Sequence, residues 1–147
     1  MDVMSTSLAI SASALRAERL RLDTIASNLA NASTTRTPEG GPYRRRNVVF
    51  VAEGLEGDFA ETIAALAEQG ARRGVAVADV IEDPSPPRLA FDPTHPDANA
   101  EGYVAYPNVN PVLEMVDLAT ATRAYEANVQ AINATRRMAD AALSIGG

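Results

Sequence analysis

MDVMSTSLAISASALRAERLRLDTIASNLANAS, from Met1 to Ser33, decides how the rest of the chain is read. Met1, Leu8, Leu15, Leu22 and Leu29 recur every seven residues, and Ala12, Ile25 and Ala32 widen the stripe through three- and four-residue offsets. Arg16, Glu18, Arg19, Arg21 and Asp23 occupy other faces. An apolar residue at every seventh position is one seam of a long amphipathic helix that expects another helix beside it. From about Ser5 to Asn31 such a helix runs on the order of 40 Å at roughly 1.5 Å per residue, more than a compact small domain needs.

The other end answers with Leu118, Tyr125, Ile132 and Ala139. A second seam of Met115, Thr122, Val129 and Leu143 lies beside the first, weakened by Thr122 and Arg136. Asn110 can cap this helix while Pro111 takes its first position, where a missing N–H costs nothing. Glu114 and Asp117 then place negative charge near the positive end of the helix dipole, Arg136 and Arg137 sit late in the helix, and Gly146 and Gly147 end it. The stripes by themselves leave two readings open: an antiparallel bundle closed within one chain, or helices that pair within a larger assembly.

Between the ends, Ser33 to Pro42 is turn and loop chemistry that stops the first helix. Arg46 to Val51 reads as a strand, Phe59 to Gln69 as a short helix through Phe59, Ile63 and Leu66, and Val75, Val77 and Ile81 as a further strand. Pro84-Ser85-Pro86-Pro87 turns the chain toward Arg88-Leu89-Ala90-Phe91. The expected architecture is mainly α with a small β-rich insert. An N-terminal helical arm covers 1–33, a loop and small β-rich unit with a short helix cover 34–109, and a C-terminal arm over 110–147 pairs with 1–33 as a coiled-coil-like bundle. With three Phe, four Tyr and no Trp, the middle has a thin hydrophobic interior that neighbouring subunits would complete.

Composition removes several function classes. Cysteine is absent and all 13 basic residues are arginine, which excludes thiol chemistry, Schiff-base lysines and a phosphate-loop lysine. No apolar run is long enough to span a membrane, and the N-terminus lacks the pattern of a cleaved signal peptide. Residues 1–52 hold seven arginines against four acids, residues 53–101 three against eleven, and the remainder three against four. An acidic middle and an overall charge of −6 argue against nucleic acid as a partner.

A metal site at Asp92, His95 and Asp97 is the sharpest chemical reading. Without a second histidine or any cysteine, and with prolines at 93 and 96, the segment reads instead as a rigid loop making local side-chain to backbone bonds. The sole histidine has no nucleophile motif, and Gly40-Gly41 and Gly70 to Gly74 lack the strand-to-helix setting of phosphate loops. The expectation is a protein that is not an enzyme, with no catalytic, cofactor-binding or metal residues and no cofactor.

Ser27-Asn28-Leu29-Ala30-Asn31 closely resembles the N-terminal motif of the bacterial flagellar axial proteins, the rod, hook and hook-associated subunits. Thr34 to Arg45, Gly102 to Asn110 leading into Glu114 to Leu118, Arg123 to Asn128, and the loop from Asp92-Pro93 to Asp97-Ala98 are similar to the rod members of that family. The resemblance covers about two thirds of the chain in order. Glu18 stands where the family often has Gln, which would alter one inter-helix hydrogen bond, and Thr94 stands where it often has Gly, which would stiffen the proline loop. Residues 52–73 match nothing in the pattern, and their role is open.

The resemblance implies a structural subunit of the proximal rod, the shaft that crosses the periplasm and carries motor torque to the hook. It implies export without a cleaved signal through the flagellar type III apparatus, and helical stacking with other rod proteins and with itself. On that reading the arms should be partly disordered before they dock. Their interface residues are Leu15, Leu22, Asn28, Leu29 and Asn31 on the first arm, and Met115, Leu118, Tyr125, Asn128, Val129 and Ile132 on the second. The apolar ones each supply roughly 1.5–3 kcal/mol when fully enclosed, and the asparagines set register. The rival from another class is a cytoplasmic helical adaptor or chaperone that binds a partner helix.

Overall fold

A computed structural model describes residues 2–53 and 73–145. The expected short helix over Phe59 to Gln69 and the closing glycines Gly146 and Gly147 lie outside them. Two long helices, α1 (Asp2–Ala30) and α2 (Pro111–Ile145), flank four strands. These are β1 (Arg46–Ala52), β2 (Val75–Glu82), β3 (Arg88–Phe91) and β4 (Tyr103–Tyr106). The strands form two ribbons, β1 with β2 and β3 with β4. Long helices at the ends of a small β region are thus the observed architecture, as the sequence patterns led us to expect. No helix among the described residues is long and apolar enough to cross a membrane.

The chain forms two compact units. One comprises Met1–Leu20, Val49–Asp79 and Thr122–Gly147, the other Arg21–Val48 and Val80–Ala121. In the first, small side chains let β2 begin against α1. The Ser13 hydroxyl donates to the Ile10 carbonyl at 2.7 Å and accepts the Val75 N–H at 2.9 Å. Gly74 lies so close that a Cβ there would meet Ser13 Oγ at 2.6 Å, as well as the Glu53 carboxylate. A larger residue at 74 would require the Ser13 and Glu53 side chains to give way.

In the second unit both helix ends are fixed by asparagine. The Asn31 amide donates back to the Ser27 carbonyl at 2.9 Å, and the Thr34 hydroxyl donates to Asn31 Oδ1 at 3.1 Å, which closes α1. Asn110 Oδ1 accepts the N–H groups of Val112 and Leu113 at 3.0 and 3.4 Å, so it caps α2 with Pro111 at the first helical position. The β3–β4 ribbon is antiparallel with Phe91 opposite Tyr103 and Ala90 opposite Val104. Val104 is wholly enclosed, while Leu89, Phe91 and Tyr103 on the other face are exposed. The rings of Phe91 and Tyr103 meet edge to face, 5.3 Å between centroids. Gly102 enters β4 at φ +83°, where a Cβ would also stand 2.9 Å from the Phe91 ring.

Two expectations need correction. β4 was not foreseen as a strand. And because α2 continues to Ile145 with no basic residue in its last turn, Arg136 and Arg137 stand too far from its end for the helix dipole to account for them.

Candidate assembly interface

Asn28, Arg45 and Glu114 all lie in the unit built from Arg21–Val48 and Val80–Ala121. Asn28, in the last turns of α1, is 1% exposed, and Glu114, in the first turn of α2, is 0% exposed. A buried carboxylate must be paired and hydrogen-bonded or it destabilises the fold. Here Arg45 donates from Nε to Glu114 Oε1 at 2.6 Å, and the Asn28 amide donates to Glu114 Oε2 at 3.1 Å. Arg45 also reaches Asp117 at 3.6 Å and the Asn47 side-chain oxygen.

Asn28 uses every hydrogen-bonding position of its amide. Nδ2 donates to the Arg46 carbonyl at 2.8 Å as well as to Glu114, while Oδ1 accepts the Arg46 N–H at 2.9 Å and the Tyr43 hydroxyl at 3.0 Å. One side-chain amide therefore pairs both backbone groups of the first residue of β1, as a neighbouring strand would. The Tyr43 hydroxyl also lies 3.3 Å from Ser27 Oγ, and the Arg46 guanidinium lies over the Tyr43 ring, 5.9 Å from its centroid. The motif around Asn28 is thus a structural knot that ties the end of α1, the start of β1 and the start of α2.

The loop after β3 is ordered in the same way. Asp92 Oδ1 accepts the Thr94 N–H at 3.1 Å and the Thr94 hydroxyl at 2.6 Å. These bonds, the hydroxyl first, hold the Asp92 carboxyl below the ordinary carboxylate range. Thr94 thus fastens this loop through both its N–H and its hydroxyl. His95 Nδ1 accepts the Asp97 N–H at 3.1 Å, and Asp97 in turn accepts from Thr35 at 2.8 Å and pairs with Arg36 at 3.7 Å. Asp92 and His95 are spent on bonds within the loop and Asp97 on bonds to Thr35 and Arg36, and no group of three possible metal ligands occurs among the described residues.

The eleven interface candidates separate into three kinds of environment. Asn28 is consumed in the knot, Asn31 is spent on Ser27 and Thr34 at the end of α1, and Asn128 bonds within its own helix to the Ala124 carbonyl at 2.9 Å. Leu15, Leu22, Leu29, Leu118, Tyr125, Val129 and Ile132 are half-buried. Met115 is 56% exposed. The residues α1 encloses are instead Ser11, Ser13, Ala17, Thr24, Ile25 and Asn28. Ala17 and Thr24 stand two positions beyond Leu15 and Leu22, about 160° round the helix at 3.6 residues per turn. On α2 the enclosed line runs through Glu114, Ala121 and Thr135, flanked by the half-buried Leu118, Tyr125 and Ile132.

Arg45 and Glu114 were not among the candidates. Arg45 is one of three consecutive arginines, Arg44 to Arg46, with no apolar pattern leading up to it, and Glu114 had a sufficient explanation in the helix dipole. One signal did mark Glu114: it precedes Leu118 and Ala121 by four and seven residues, so it lies on the apolar line of its own helix. A charge there calls for a buried partner.

Comparison with known proteins gives these helices a context. Residues 8–36 match the family model described as flagella basal body rod protein, and residues 100–145 match that of the flagellar basal body rod FlgEFG protein C-terminal region. The flagellar basal-body rod protein FlgC of Bacillus subtilis is 49% identical over 144 residues, covering 95% of this chain and 96% of the relative. Its counterpart from Borreliella burgdorferi is 44% identical over 148 residues, covering 95% of each. That from Escherichia coli O157:H7 is 42% identical over 137 residues, covering 93% of each.

Proposed function

Because the chain belongs to the FlgC family of flagellar basal-body rod proteins and is a structural subunit of that rod, we propose that it builds the proximal rod through its terminal helices. It stacks helically with other rod proteins and with itself, and so carries torque across the periplasm. The observation that carries this reading is the half-buried state of the leucine stripe: α1 encloses Ser13, Ala17, Thr24 and Asn28 and leaves Leu15, Leu22 and Leu29 with apolar surface to spare. Burial of such surface is the main driving force for association. The two arms pair along their stripes in the assembled rod, and the small β region lies outside them.

Delivery through the flagellar type III export apparatus accounts for how a periplasmic shaft acquires this subunit. The cytoplasmic adaptor is not favoured, since the relatives that match nearly the whole chain are named as rod proteins.

The test is a deletion strain examined for basal bodies. Rods should be incomplete, the plain chain should restore them, and a Leu22→Asp chain made at normal levels should not. Complete rods in the deletion strain, or full swimming with Leu22→Asp, would overturn the reading.

A further inference from the structure

The first turns of α2 show apolar surface on every side but one. Val112, Leu113, Met115 and Val116 are each more than half exposed, while Glu114 between them is enclosed. Leu113 and Val116 border a groove of about 420 Å³ that is also lined by Arg45, Asp83, Glu114 and Asp117. Three carboxylates face one guanidinium in it, and that guanidinium is already engaged by Glu114 and Asp117. Asp83 stays ionised readily, because the side chain and then the backbone N–H of Ser85 hold its carboxyl below the ordinary range. The groove therefore fits a partner that brings apolar side chains together with at least two positive charges.

The same chain carries such a segment. Late in α2, Arg136 and Arg137 are exposed, neither makes an ion pair among the described residues, and Met138 beside them is 56% exposed. Leu143, seven residues beyond Arg136, is 74% exposed. The helix dipole does not explain these arginines, since α2 runs on to Ile145. Nothing on their own helix uses their charge.

We propose that the segment around Arg136, Arg137 and Met138 of one copy docks into the groove beside Leu113 and Val116 of a second copy of this chain. This rests on the rod reading above and supplies a specific surface for it. A second copy is the fitting partner because both complementary halves are present on one sequence. The contact joins unlike surfaces, head to tail, and a contact of that type propagates as an open helical array unless its rotation happens to close a ring. The charges steer and register the approach, and the apolar side chains contribute the burial.

The chain has no cysteine, so single cysteines report contacts without background. In the chain's own host with the chromosomal copy deleted, a Leu113→Cys copy and a Met138→Cys copy with different tags are expressed together and oxidised. Cysteines on separate chains can form a disulfide only where the copies meet. The mixed adduct should exceed either like-with-like adduct by about fivefold or more, since charge complementarity disfavours the wrong pairing. Arg136→Glu with Arg137→Glu in the Met138→Cys copy should remove that excess, and Asp83→Arg with Asp117→Arg in the Leu113→Cys copy should restore it. Rescue by the swap excludes misfolding as the cause of the loss. A like-with-like adduct alone, cross-linking to a different rod protein instead, or indifference to the charge reversal would overturn the proposal. Swimming restored by the plain chain with no mixed adduct sinks this docking but leaves the rod reading intact, whereas failure of the plain chain to restore swimming sinks the rod reading itself.

Discussion

Around Glu114 the enclosed groups are a carboxylate and an amide, bonded to each other and to a half-buried guanidinium, whereas along α1 the leucines at 15, 22 and 29 stay half-buried and serines, alanine and threonine are enclosed. The usual distribution of polar and apolar groups is locally reversed. Apolar burial is nearly indifferent to direction, so a helix held only by leucines can slide or rotate at small cost. Hydrogen bonds weaken steeply when bent or stretched, so a fully bonded asparagine and glutamate permit one arrangement of the elements they join. The chain thus places direction-sensitive bonds where α1, β1 and α2 meet, and leaves direction-insensitive apolar surface along the helices.

The sharpest way to break this contrast is Glu114→Ala. It leaves Arg45 without its 2.6 Å partner and Asn28 with an unmet donor in an enclosed site. Loss of one member of a buried ion pair costs about 3–5 kcal/mol. Urea unfolding of the purified chain should show that loss, and amide exchange at Arg46, whose N–H is held by Asn28, should accelerate. A cost below about 1 kcal/mol would mean that the knot does not hold the junction.

Gly102→Ala ranks next. It puts a Cβ at φ +83° and 2.9 Å from the Phe91 ring, and should cost about 1–3 kcal/mol by the same measurement. Leu22→Asp ranks below it for the isolated chain, at about 1 kcal/mol or less, because the side chain is only half-buried there. A small effect on unfolding alongside a large effect on swimming would sharpen the contrast between the knot and the stripe. A large effect on unfolding would erase it.

The smallest effect concerns acid. Asp92 has its carboxyl held below the ordinary value of 3.8 by Thr94, so the bonds to Thr94 favour the ionised, folded form. The folded pKa is the lower of the two. The stabilisation is therefore complete above the unfolded value, and disappears as pH falls through the folded one. An NMR titration should place the Thr94 amide transition below pH 3.8, and Asp92→Asn should abolish that transition.

Much of the fold was legible because its signals are local. The Asn110-Pro111 start of α2 needs only the residues around it, and the valine-rich runs of β1 and β2 are bounded by turn residues within a few positions. β4 was not legible: Tyr103-Val104-Ala105-Tyr106 is four residues long, and its pairing with β3 depends on a partner brought round by the loop that Asp92 and Asn99 organise. Two residues of the knot escaped for a related reason. Glu114 and Arg45 are 69 residues apart in sequence, and each had an adequate local explanation. Apart from Ile25 and Asn28, the inward line of α1 escaped because serine, alanine and threonine register weakly in any count of hydrophobic residues, although small side chains are what close approach of a strand requires.

Clamping Arg46 to Asn28 has one more effect. The segment between them is closed at its base by side-chain bonds and pinned again by the backbone bond from Tyr43 N to the Thr34 carbonyl. Its tip, at Gly40 and Gly41, faces open space. Extra length added there changes the closure entropy only slowly and touches neither anchor. The stretch from 37 to 41 is accordingly where this protein can accept an inserted peptide, and an epitope placed between the two glycines would mark each subunit while leaving both helices undisturbed.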